Sequence, residues 1–230
     1  MREHDPEKLV ARIPLFATLE PEARKPLAQL IRVRRYAARQ VVVWEGETGG
    51  SLFLSLTGYF KAITTGRDGK EMLLSIMGPG EVFGELSVLD GQPRSASVVT
   101  LEPGELASIE RPALFELMAT SPRLAIGLIE VLAQRVRTLT KRYETISTLD
   151  VPQRLAQVLV SLAQKHGQPD GARVRIPVRL SQSDLGSMVG ATRESVNKQL
   201  RKWTESGVLH RETGCVVISD FPALRAASAT

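Results

Sequence analysis

Residues 180–200, LSQSDLGSMVGATRESVNKQL, predict two short helices joined by a tight turn. Ser181 and Thr192 are residue types that cap helix N-termini, and Asp184 follows Ser181 at the spacing of a capping box. Gly190 suits the turn because glycine tolerates a positive φ angle. The segment is therefore expected to fold as a helix-turn-helix, a motif whose second helix enters the major groove of DNA.

The second helix of this motif has an apolar side and a charged side. Its apolar residues recur at helical spacing and face inward, at Val196, Leu200 and Trp203. The charged residues near its start lie off that side, at Arg193, Glu194 and Lys198. Arginine can donate two hydrogen bonds to guanine and glutamate can accept one from cytosine, so these residues suit recognition of base edges. A solvated charged helix face would have the same residue types, and only the rest of the chain separates the two interpretations.

Two further features favour DNA contact by the C-terminal part of the chain. The sequence after Gly207, VLHRETGCVVI, predicts a β-hairpin wing that turns at Thr213 and Gly214. From Asp150 onward there are 11 Lys and Arg against 7 Asp and Glu, whereas the preceding residues have 19 against 18. The basic excess is thus concentrated where contacts to DNA phosphates would need it.

Between residues 34 and 110 the chain changes to short β-rich runs separated by turns that contain glycine. Such even spacing predicts a β-barrel, roll or sandwich. The Asp68-Gly69 pair predicts a tight hairpin within this region. A short helical piece is expected before it, from about residue 6 to residue 33.

A long helix is predicted from Pro122, where proline suits the first turn. Its apolar residues alternate between spacings of four and three, at Ala125, Ile129, Leu132, Val136, Leu139, Tyr143 and Ile146. A heptad pattern of this length favours the seam of a homodimeric coiled coil, whereas a helix packed only on its own domain shows a wider, less regular stripe. The next helix is predicted from Asp150 to about His166, with residues 168–171 as a loop. We expect a β-rich domain over 1–120, a dimerisation helix and hinge over 121–149, and a DNA-binding domain over 150–230.

Several classes of protein are disfavoured by what the sequence lacks. Cys215 is the only cysteine, which excludes an intrachain disulfide and any multi-cysteine metal site within one chain. Because no catalytic triad order, metal-ligand spacing or paired carboxylates emerge, we expect no catalytic residues, no metal and no enzyme. The charged N-terminus and the lack of a long apolar run predict a cytoplasmic protein without a membrane partner.

Residues 78–98, GPGEVFGELSVLDGQPRSASV, contain the residue types of a phosphate site. Gly84 and Glu85 are expected to start a turn after a strand, and Arg94 and Ser95 follow about ten residues later. Backbone N–H groups, an arginine and a hydroxyl can together hold one phosphate, and the carboxylate suits a ribose hydroxyl. The same residues also fit a loop in which Glu85 and Arg94 pair with each other, and the local sequence favours neither.

In their order along the chain, these motifs resemble those of the Crp/Fnr family of bacterial transcription regulators, specifically its cyclic-AMP receptor branch. The resemblance extends over about residues 12–220 and rests on FGELSVLDGQPRSASV, the long helix, LDVPQRLA and LSQSDLGSMVGATRESVNK. It implies an α+β fold with an N-terminal β-roll of the cyclic-nucleotide-binding type, a long dimerisation helix and a C-terminal winged helix-turn-helix. It further implies an allosteric transcription regulator with cyclic AMP as effector, and with double-stranded DNA and RNA polymerase as partners.

The resemblance also implies roles for individual residues. The cyclic-nucleotide cassette matches the family motif at Gly84, Glu85, Leu86, Pro93, Arg94, Ser95 and Ala96. By that similarity, Glu85 binds the ribose 2′-hydroxyl, and Arg94 and Ser95 hold the cyclic phosphate. Arg135 reaches into the pocket near Glu85, and Thr140 of the second chain in a dimer contacts adenine. DNA contacts, on an inverted repeat of a half-site resembling TGTGA, are implied at Ser181, Gln182, Thr192, Arg193, Glu194 and Lys198.

Three positions depart from the family pattern. Leu139-Thr140 stands where cyclic-AMP receptors have Thr-Ser, so the alternative is the same fold responding to another ligand, such as cyclic di-GMP, or to none. Gln182 stands where some relatives have a DNA-contacting arginine, which predicts a different flanking preference. Gln199 occupies a position of the recognition helix that is usually apolar.

Overall fold

The structure is a computed structural model that describes residues 13–17, 27–66 and 69–228. Its longer helices and short connecting helices are α1 (Pro14–Ala17), α2 (Glu85–Asp90), α3 (Arg111–Thr120), α4 (Pro122–Thr148), α5 (Val151–His166), α6 (Gln182–Val189), α7 (Arg193–Glu205) and α8 (Phe221–Ala226). Its strands are β1 (Arg32–Tyr36), β2 (Val41–Val43), β3 (Ser51–Thr57), β4 (Phe60–Thr65), β5 (Glu71–Met77), β6 (Val82–Phe83), β7 (Ser97–Thr100), β8 (Gly104–Glu110), β9 (Gln168–Asp170), β10 (Arg173–Ile176), β11 (Leu209–Glu212) and β12 (Cys215–Ile218). Two compact units result, one of residues 1–65 and 74–137, the other of residues 66–73 and 138–230.

Two four-stranded sheets build the first unit. One has the strand order β1-β8-β3-β6 and the other β2-β7-β4-β5. The pairing of β3 with β8 places Leu52 opposite Ile109 and Leu54 opposite Ala107, and all four side chains are fully buried. Alternate residues of a strand face the same side of its sheet, so these four side chains lie on one face of the sheet. The predicted N-terminal β-roll is confirmed.

Apolar side chains from both sheets form a core between them, with the members Tyr36, Phe60, Met77, Phe83, Val98 and Leu106. Phe83 stacks on Phe53 with the ring centroids 5.1 Å apart. A second core lies where the helices of this unit cover β3 and β8, and it includes Phe16, Leu114, Leu124 and Leu128. Burial of each such side chain contributes about 1.5–3 kcal/mol to the stability of the fold. The two cores thereby fix β6, the strand that leads into the cassette.

The second unit is a winged helix-turn-helix, as predicted. Helices α5, α6 and α7 pack around a core that includes Leu155, Leu185, Val196 and Trp203. The sheet beside them has the order β11-β12-β10-β9, and β11 and β12 form the predicted hairpin. Asp150 caps α5, where its side chain accepts a hydrogen bond from the backbone of Gln153 in a complete capping box.

Helix α4 is buried at its start and exposed along most of its length. Leu124 and Leu128 lie in the core of the first unit. Ala125 and Leu132 are half-buried. The other seam residues are between 53% and 79% exposed in the single chain, and they are Ile129, Val136, Leu139, Tyr143 and Ile146.

The structure differs from the sequence expectations in three places. Val33, predicted at the end of a helix, lies in β1, whose RVRRY sequence pairs with β8 at a sheet edge and lacks apolar alternation. Residues 168–170, predicted as a loop, form the exposed edge strand β9, where Pro169 is tolerated because one side of an edge strand needs no hydrogen bonds. The cassette contains helix α2, where only a turn was expected. Of the predicted Asp68-Gly69 turn, Asp68 lies outside the described residues, and Gly69 has a φ of +76°.

Candidate functional site

The cassette, residues 84–96, begins where β6 passes into α2 through Gly84. Gly84 has a φ of +78°, a left-handed conformation that side chains disfavour. A Cβ atom at Gly84 would also collide with the guanidinium of Arg94. The glycine therefore permits both the turn into α2 and the close approach of the arginine.

Arg94 is buried beneath this turn, where protein oxygens hold its guanidinium. Nη1 donates to the carbonyl of Gly84 at 3.0 Å and to the hydroxyl of Ser87 at 2.7 Å. Nη2 donates to the carbonyl of Ser51 at 2.8 Å, and the guanidinium lies 5.4 Å from the ring centroid of Phe53. These contacts use some of the five N–H groups of an arginine and fix the plane of the fork.

The charge of Arg94 has no direct carboxylate partner within the part of the chain that the structure describes. Burial lowers the pKa of Arg94, and the more distant charges of Glu85, Glu110 and Glu47 oppose that shift. A buried cation of this kind is stabilised when an anion comes within hydrogen-bond distance. The chemistry of the site thus suits a phosphate.

Glu85, the first residue of α2, is only 1% exposed and forms an ion pair with the long helix. Its Oε1 accepts a hydrogen bond from Arg135 Nη1 at 2.7 Å, and Arg135 Nη2 donates to the carbonyl of Val82 at 2.6 Å. The other oxygen, Oε2, is buried and has no hydrogen-bond partner among the described residues. A buried acceptor without a partner costs about 1–3 kcal/mol, so this oxygen suits a hydroxyl donor from a ligand.

The structure brings Gly84, Glu85, Arg94 and Arg135 together within the first unit. The alternative interpretation, in which Glu85 and Arg94 pair with each other, is wrong because Glu85 pairs with Arg135 instead. Of the other residues predicted to bind the nucleotide in the cassette, Leu86 and Ser95 are exposed and Ala96 is half-buried. Thr140 is an exposed residue of the second unit.

Sequence analysis missed Ser51 and Ser87, which accept hydrogen bonds from Arg94, and Gly49, which leaves space for the arginine. A Cβ atom at Gly49 would collide with both Ser87 and Arg94. The only local signal for Gly49 is the Gly49-Gly50 pair, which is one of the glycine-containing turns between the β-rich runs. The hydrogen bond from Arg94 to Ser51 could not be predicted, because its acceptor is a backbone carbonyl, which every residue type has, and lies 43 residues away.

In the second unit, the predicted caps of the helix-turn-helix are confirmed. Ser181 and Asp184 form a complete capping box at the start of α6. Thr192 accepts a hydrogen bond from the backbone N–H of Ser195 at the start of α7. Gly190 has a φ of +62° at the end of α6. These contacts fix the angle at which α7 leaves the turn.

The charged residues of α7 that we predicted to contact DNA are exposed: Arg193, Glu194 and Lys198. A hydrogen bond from its own backbone N–H, and a second from Thr192, lower the pKa of Glu194. Its carboxylate is therefore charged at neutral pH and can only accept hydrogen bonds, as contact with a cytosine amino group requires. Arg193 Nε lies 3.4 Å from Gln182 Oε1, which joins the starts of the two helices.

Gly186 permits a close approach between α6 and the backbone of the turn that follows it, and replacing Gly186 tests that packing. A Cβ atom there would lie 2.8 Å from the carbonyl oxygen of Ala191, a backbone atom in the turn. Gly186→Val is expected to lower the free energy of unfolding by about 1–3 kcal/mol through this overpacking. Ser183→Val, at an exposed position of the same helix, is the control in thermal unfolding. Equal stability of the two variants would contradict the prediction.

A further cluster in the second unit was not predicted. Arg142 Nη2 donates to the carbonyls of Leu73 at 2.9 Å and Met188 at 3.1 Å, and burial lowers the pKa of Arg142. The hydroxyl of Ser187 accepts a hydrogen bond from the N–H of Leu73 at 2.6 Å and donates to the carbonyl of Glu71 at 3.1 Å. Helix α6 is thus hydrogen-bonded to Glu71 and Leu73, which belong to the same unit.

No helix within the described part of the chain combines the length and the apolar character needed to cross a membrane. Across residues 13–17, 27–66 and 69–228, no three His, Cys, Asp or Glu side chains are grouped so that they could hold a metal ion.

Comparison with known proteins covers both units. The family model for the cyclic nucleotide-binding domain matches residues 33–121, which include the whole cassette. The model for the Crp-like helix-turn-helix domain matches residues 153–227.

Individual relatives are similar over nearly the whole chain. The chain is 35% identical to the CRP-like cAMP-activated global transcriptional regulator of Mycobacterium tuberculosis, over 95% of this chain and 97% of that protein. It is 30% identical to the cyclic AMP receptor protein of Thermus thermophilus, over 92% of this chain and 94% of that protein. The solved structure of the c-di-GMP responsive global regulator CLP of Xanthomonas campestris superposes with a TM-score of 0.71 at 26% identity, over 86% of this chain and 99% of that one.

The relative from Mycobacterium tuberculosis is named as a global transcriptional regulator, and the one from Xanthomonas campestris as a global regulator. The two matched domains together span most of the chain, in the order that the cassette and the helix-turn-helix occupy. The chain therefore belongs to the Crp/Fnr family of transcription regulators, with a cyclic nucleotide-binding domain followed by a Crp-like helix-turn-helix domain.

Proposed function

We propose that this protein is a cytoplasmic, homodimeric transcription regulator whose binding to DNA is controlled by cyclic AMP. The effector binds in the cassette, with its phosphate on Arg94 and Ser95 and its ribose hydroxyl on Glu85. The DNA target is an inverted repeat of TGTGA-like half-sites, recognised through α7. RNA polymerase is the partner at promoters, as family membership implies.

The main support for a cyclic nucleotide comes from two buried charged side chains of the cassette whose polar partners are incomplete. Arg94 is buried without a carboxylate partner in the described chain, and Glu85 Oε2 is buried without a hydrogen-bond donor. A ligand that combines one phosphate with an adjacent ribose hydroxyl supplies both missing partners. Such a ligand adds charge-assisted hydrogen bonds to the site without a new buried charge that lacks a partner.

Cyclic AMP fits this cassette better than cyclic di-GMP, the effector named for the Xanthomonas relative. Cyclic di-GMP has two phosphodiesters, whereas Arg94 is the single buried arginine in the described part of the chain. The relatives named for cyclic AMP also match more of the chain at higher identity. Leu139, which removes a hydroxyl from the seam, is the observation that favours the second ligand.

Helix α4 supports the proposed dimer, because its exposed apolar residues recur at heptad spacing. Pairing two such helices would bury them in a coiled-coil seam. Two recognition helices about 34 Å apart reach successive major grooves on one side of B-DNA, which explains an inverted repeat as the target. The effector then has to bind more tightly to the arrangement that fits DNA, by about 1–3 kcal/mol in typical regulators.

The test is a fluorescence-anisotropy titration of the full chain onto a TGTGA inverted-repeat duplex at fixed salt. It is run without nucleotide, with cyclic AMP and with cyclic di-GMP, and a scrambled duplex is the control. We expect tight, specific binding only with cyclic AMP. Equal specific binding in all conditions would contradict ligand control, and binding only with cyclic di-GMP would identify the second ligand.

Arg193→Ala is expected to cost about 1–3 kcal/mol of binding free energy and to relax the preference at one base position. The reason is that an exposed arginine at the start of α7 can donate two hydrogen bonds to one guanine. Competition by duplexes with single base changes measures the preference, and Arg173→Ala removes an equal charge from β10 as control. A uniform loss across all duplexes would instead assign Arg193 to a phosphate.

A further inference from the structure

We propose that Asn197 of the recognition helix contacts a base directly, and that Gln182 positions its amide for that contact. This inference rests on the proposed binding to DNA and goes beyond it, because it adds a specificity-determining residue outside the set Arg193, Glu194 and Lys198. The base that suits an asparagine is adenine.

Asn197 lies on the same side of α7 as Arg193, one helical turn further along. The interval of four residues places the two side chains next to each other on the helix surface. Arg201 continues this row by a second turn, and all three side chains are exposed. The row runs beside the one formed by Glu194 and Lys198, so α7 presents two adjacent rows of polar side chains.

A chain of hydrogen bonds joins this row to the first helix of the motif. Gln182 Nε2 donates to Asn197 Oδ1 at 2.9 Å. The opposite atom of the same amide, Gln182 Oε1, accepts from Arg193 Nε at 3.4 Å. One glutamine therefore contacts both side chains, and it fixes which end of the Asn197 amide faces Gln182.

This orientation leaves the groups that adenine requires. Asn197 Oδ1 has two lone pairs, and Gln182 uses one of them. The other lone pair can accept from adenine N6, while Nδ2 donates to adenine N7 in the bidentate pairing of an asparagine. A side chain that is held before binding loses less conformational entropy when it binds.

The space next to Asn197 is open. A cavity of about 570 Å³ lies between α7 and the wing strand β11, and Gln182, Asn197, Arg201 and Arg211 contribute to its walls. Arg211 is engaged with the carbonyls of Leu180 and Gly214, so it holds the wing while the asparagine faces the opening. Asn197 is exposed in the structure.

The experiment measures binding of the full chain, with cyclic AMP present and absent, to a set of duplexes that changes each half-site position to every base. The variants are Asn197→Ala, Gln182→Glu and Arg193→Ala, with Lys202→Ala as a control that removes a charge from another side of α7. Gln182→Glu keeps the acceptor for Arg193 and loses the donor for Asn197. We expect Asn197→Ala to reduce the preference for adenine at one position by about 5- to 150-fold. We expect Gln182→Glu to weaken that same preference and to spare the position that Arg193 determines.

The outcomes separate this inference from the proposed function. If the wild-type chain shows no base preference, both the DNA target and the role of Asn197 are overturned. If the wild type is specific and Asn197→Ala keeps every preference, or loses affinity equally for all duplexes, the role of Asn197 alone is overturned. A preference that Asn197→Ala abolishes and Lys202→Ala retains supports the assignment.

Discussion

Replacing Arg94 with leucine is expected to abolish the response of DNA binding to cyclic AMP. The guanidinium is the only buried cation of the cassette within the described residues, and no other group there can balance a phosphate. Charge-assisted hydrogen bonds contribute about 1.5–3 kcal/mol each, so the loss of two weakens nucleotide binding by about 100-fold or more. Calorimetric titration with cyclic AMP measures the affinity, and anisotropy on the inverted repeat measures the response.

Two other variants make this prediction specific. Arg94→Lys keeps the charge but not the fork of parallel donors, so an intermediate affinity is expected. Arg35→Leu removes an arginine of the same unit that pairs with Glu105 at the surface, and it should leave nucleotide binding unchanged. Thermal unfolding without nucleotide shows whether Arg94→Leu also loosens the turn that the guanidinium holds. Wild-type nucleotide affinity in a folded Arg94→Leu variant would refute the phosphate assignment.

The sequence predicted the features that depend on interactions between residues close together in the chain. The capping boxes at Ser181 and Asp150 are complete within four residues, and each marks a helix start that the structure confirms. Gly190 and the Thr213-Gly214 turn likewise depend on local backbone geometry. Short β-rich runs between glycine-containing turns predicted the β-rich region, but not β1, which has arginines on both faces, or β9, an exposed strand of three residues.

The parts that could not be predicted depend on contacts between distant segments. The carbonyl of Ser51 and the hydroxyl of Ser87 hold Arg94 from separate elements. Glu85 and Arg135 form an ion pair although they are 50 residues apart, and only the family resemblance predicts that they lie close together. Arg142 donates hydrogen bonds to Leu73 and to Met188 of α6, and no feature of the sequence around Arg142 predicted these contacts. Such contacts follow from how the elements pack, which residue type does not encode.

The Glu85–Arg135 ion pair gives a physical basis for coupling the effector to the dimer helix. Glu85 Oε1 accepts a hydrogen bond from Arg135, and Glu85 Oε2 has no hydrogen-bond donor among the residues that the structure describes. A ribose hydroxyl at Oε2 would share the negative charge that holds Arg135, and Arg135 lies on α4 one turn before the seam residue Leu139. The proposed ligand and the proposed seam would therefore act on the same short stretch of helix, which is the kind of shared element that allosteric coupling needs.

Leu139→Glu is expected to convert the dimer into a monomer, because it places a charge at the centre of the apolar seam. In the single chain Leu139 is 61% exposed, and its neighbours Val136 and Tyr143 are 62% and 79% exposed. The substitution therefore costs the isolated fold little, but in a coiled coil two carboxylates would face each other without water. Sedimentation equilibrium measures the mass in solution, and anisotropy measures binding to the inverted repeat.

The loss of the dimer has a second expected consequence for DNA. Two linked recognition helices bind an inverted repeat about 10²–10⁴-fold more tightly than one, because the second contact is intramolecular. Leu139→Glu should lose that factor on the full repeat and keep the affinity for a single half-site. Lys141→Glu, on the opposite side of α4, is the matched control and should remain a dimer. A Leu139→Glu protein that is still dimeric would place the interface elsewhere, and equal losses on the full repeat and the half-site would show that the substitution damages the DNA-binding unit itself.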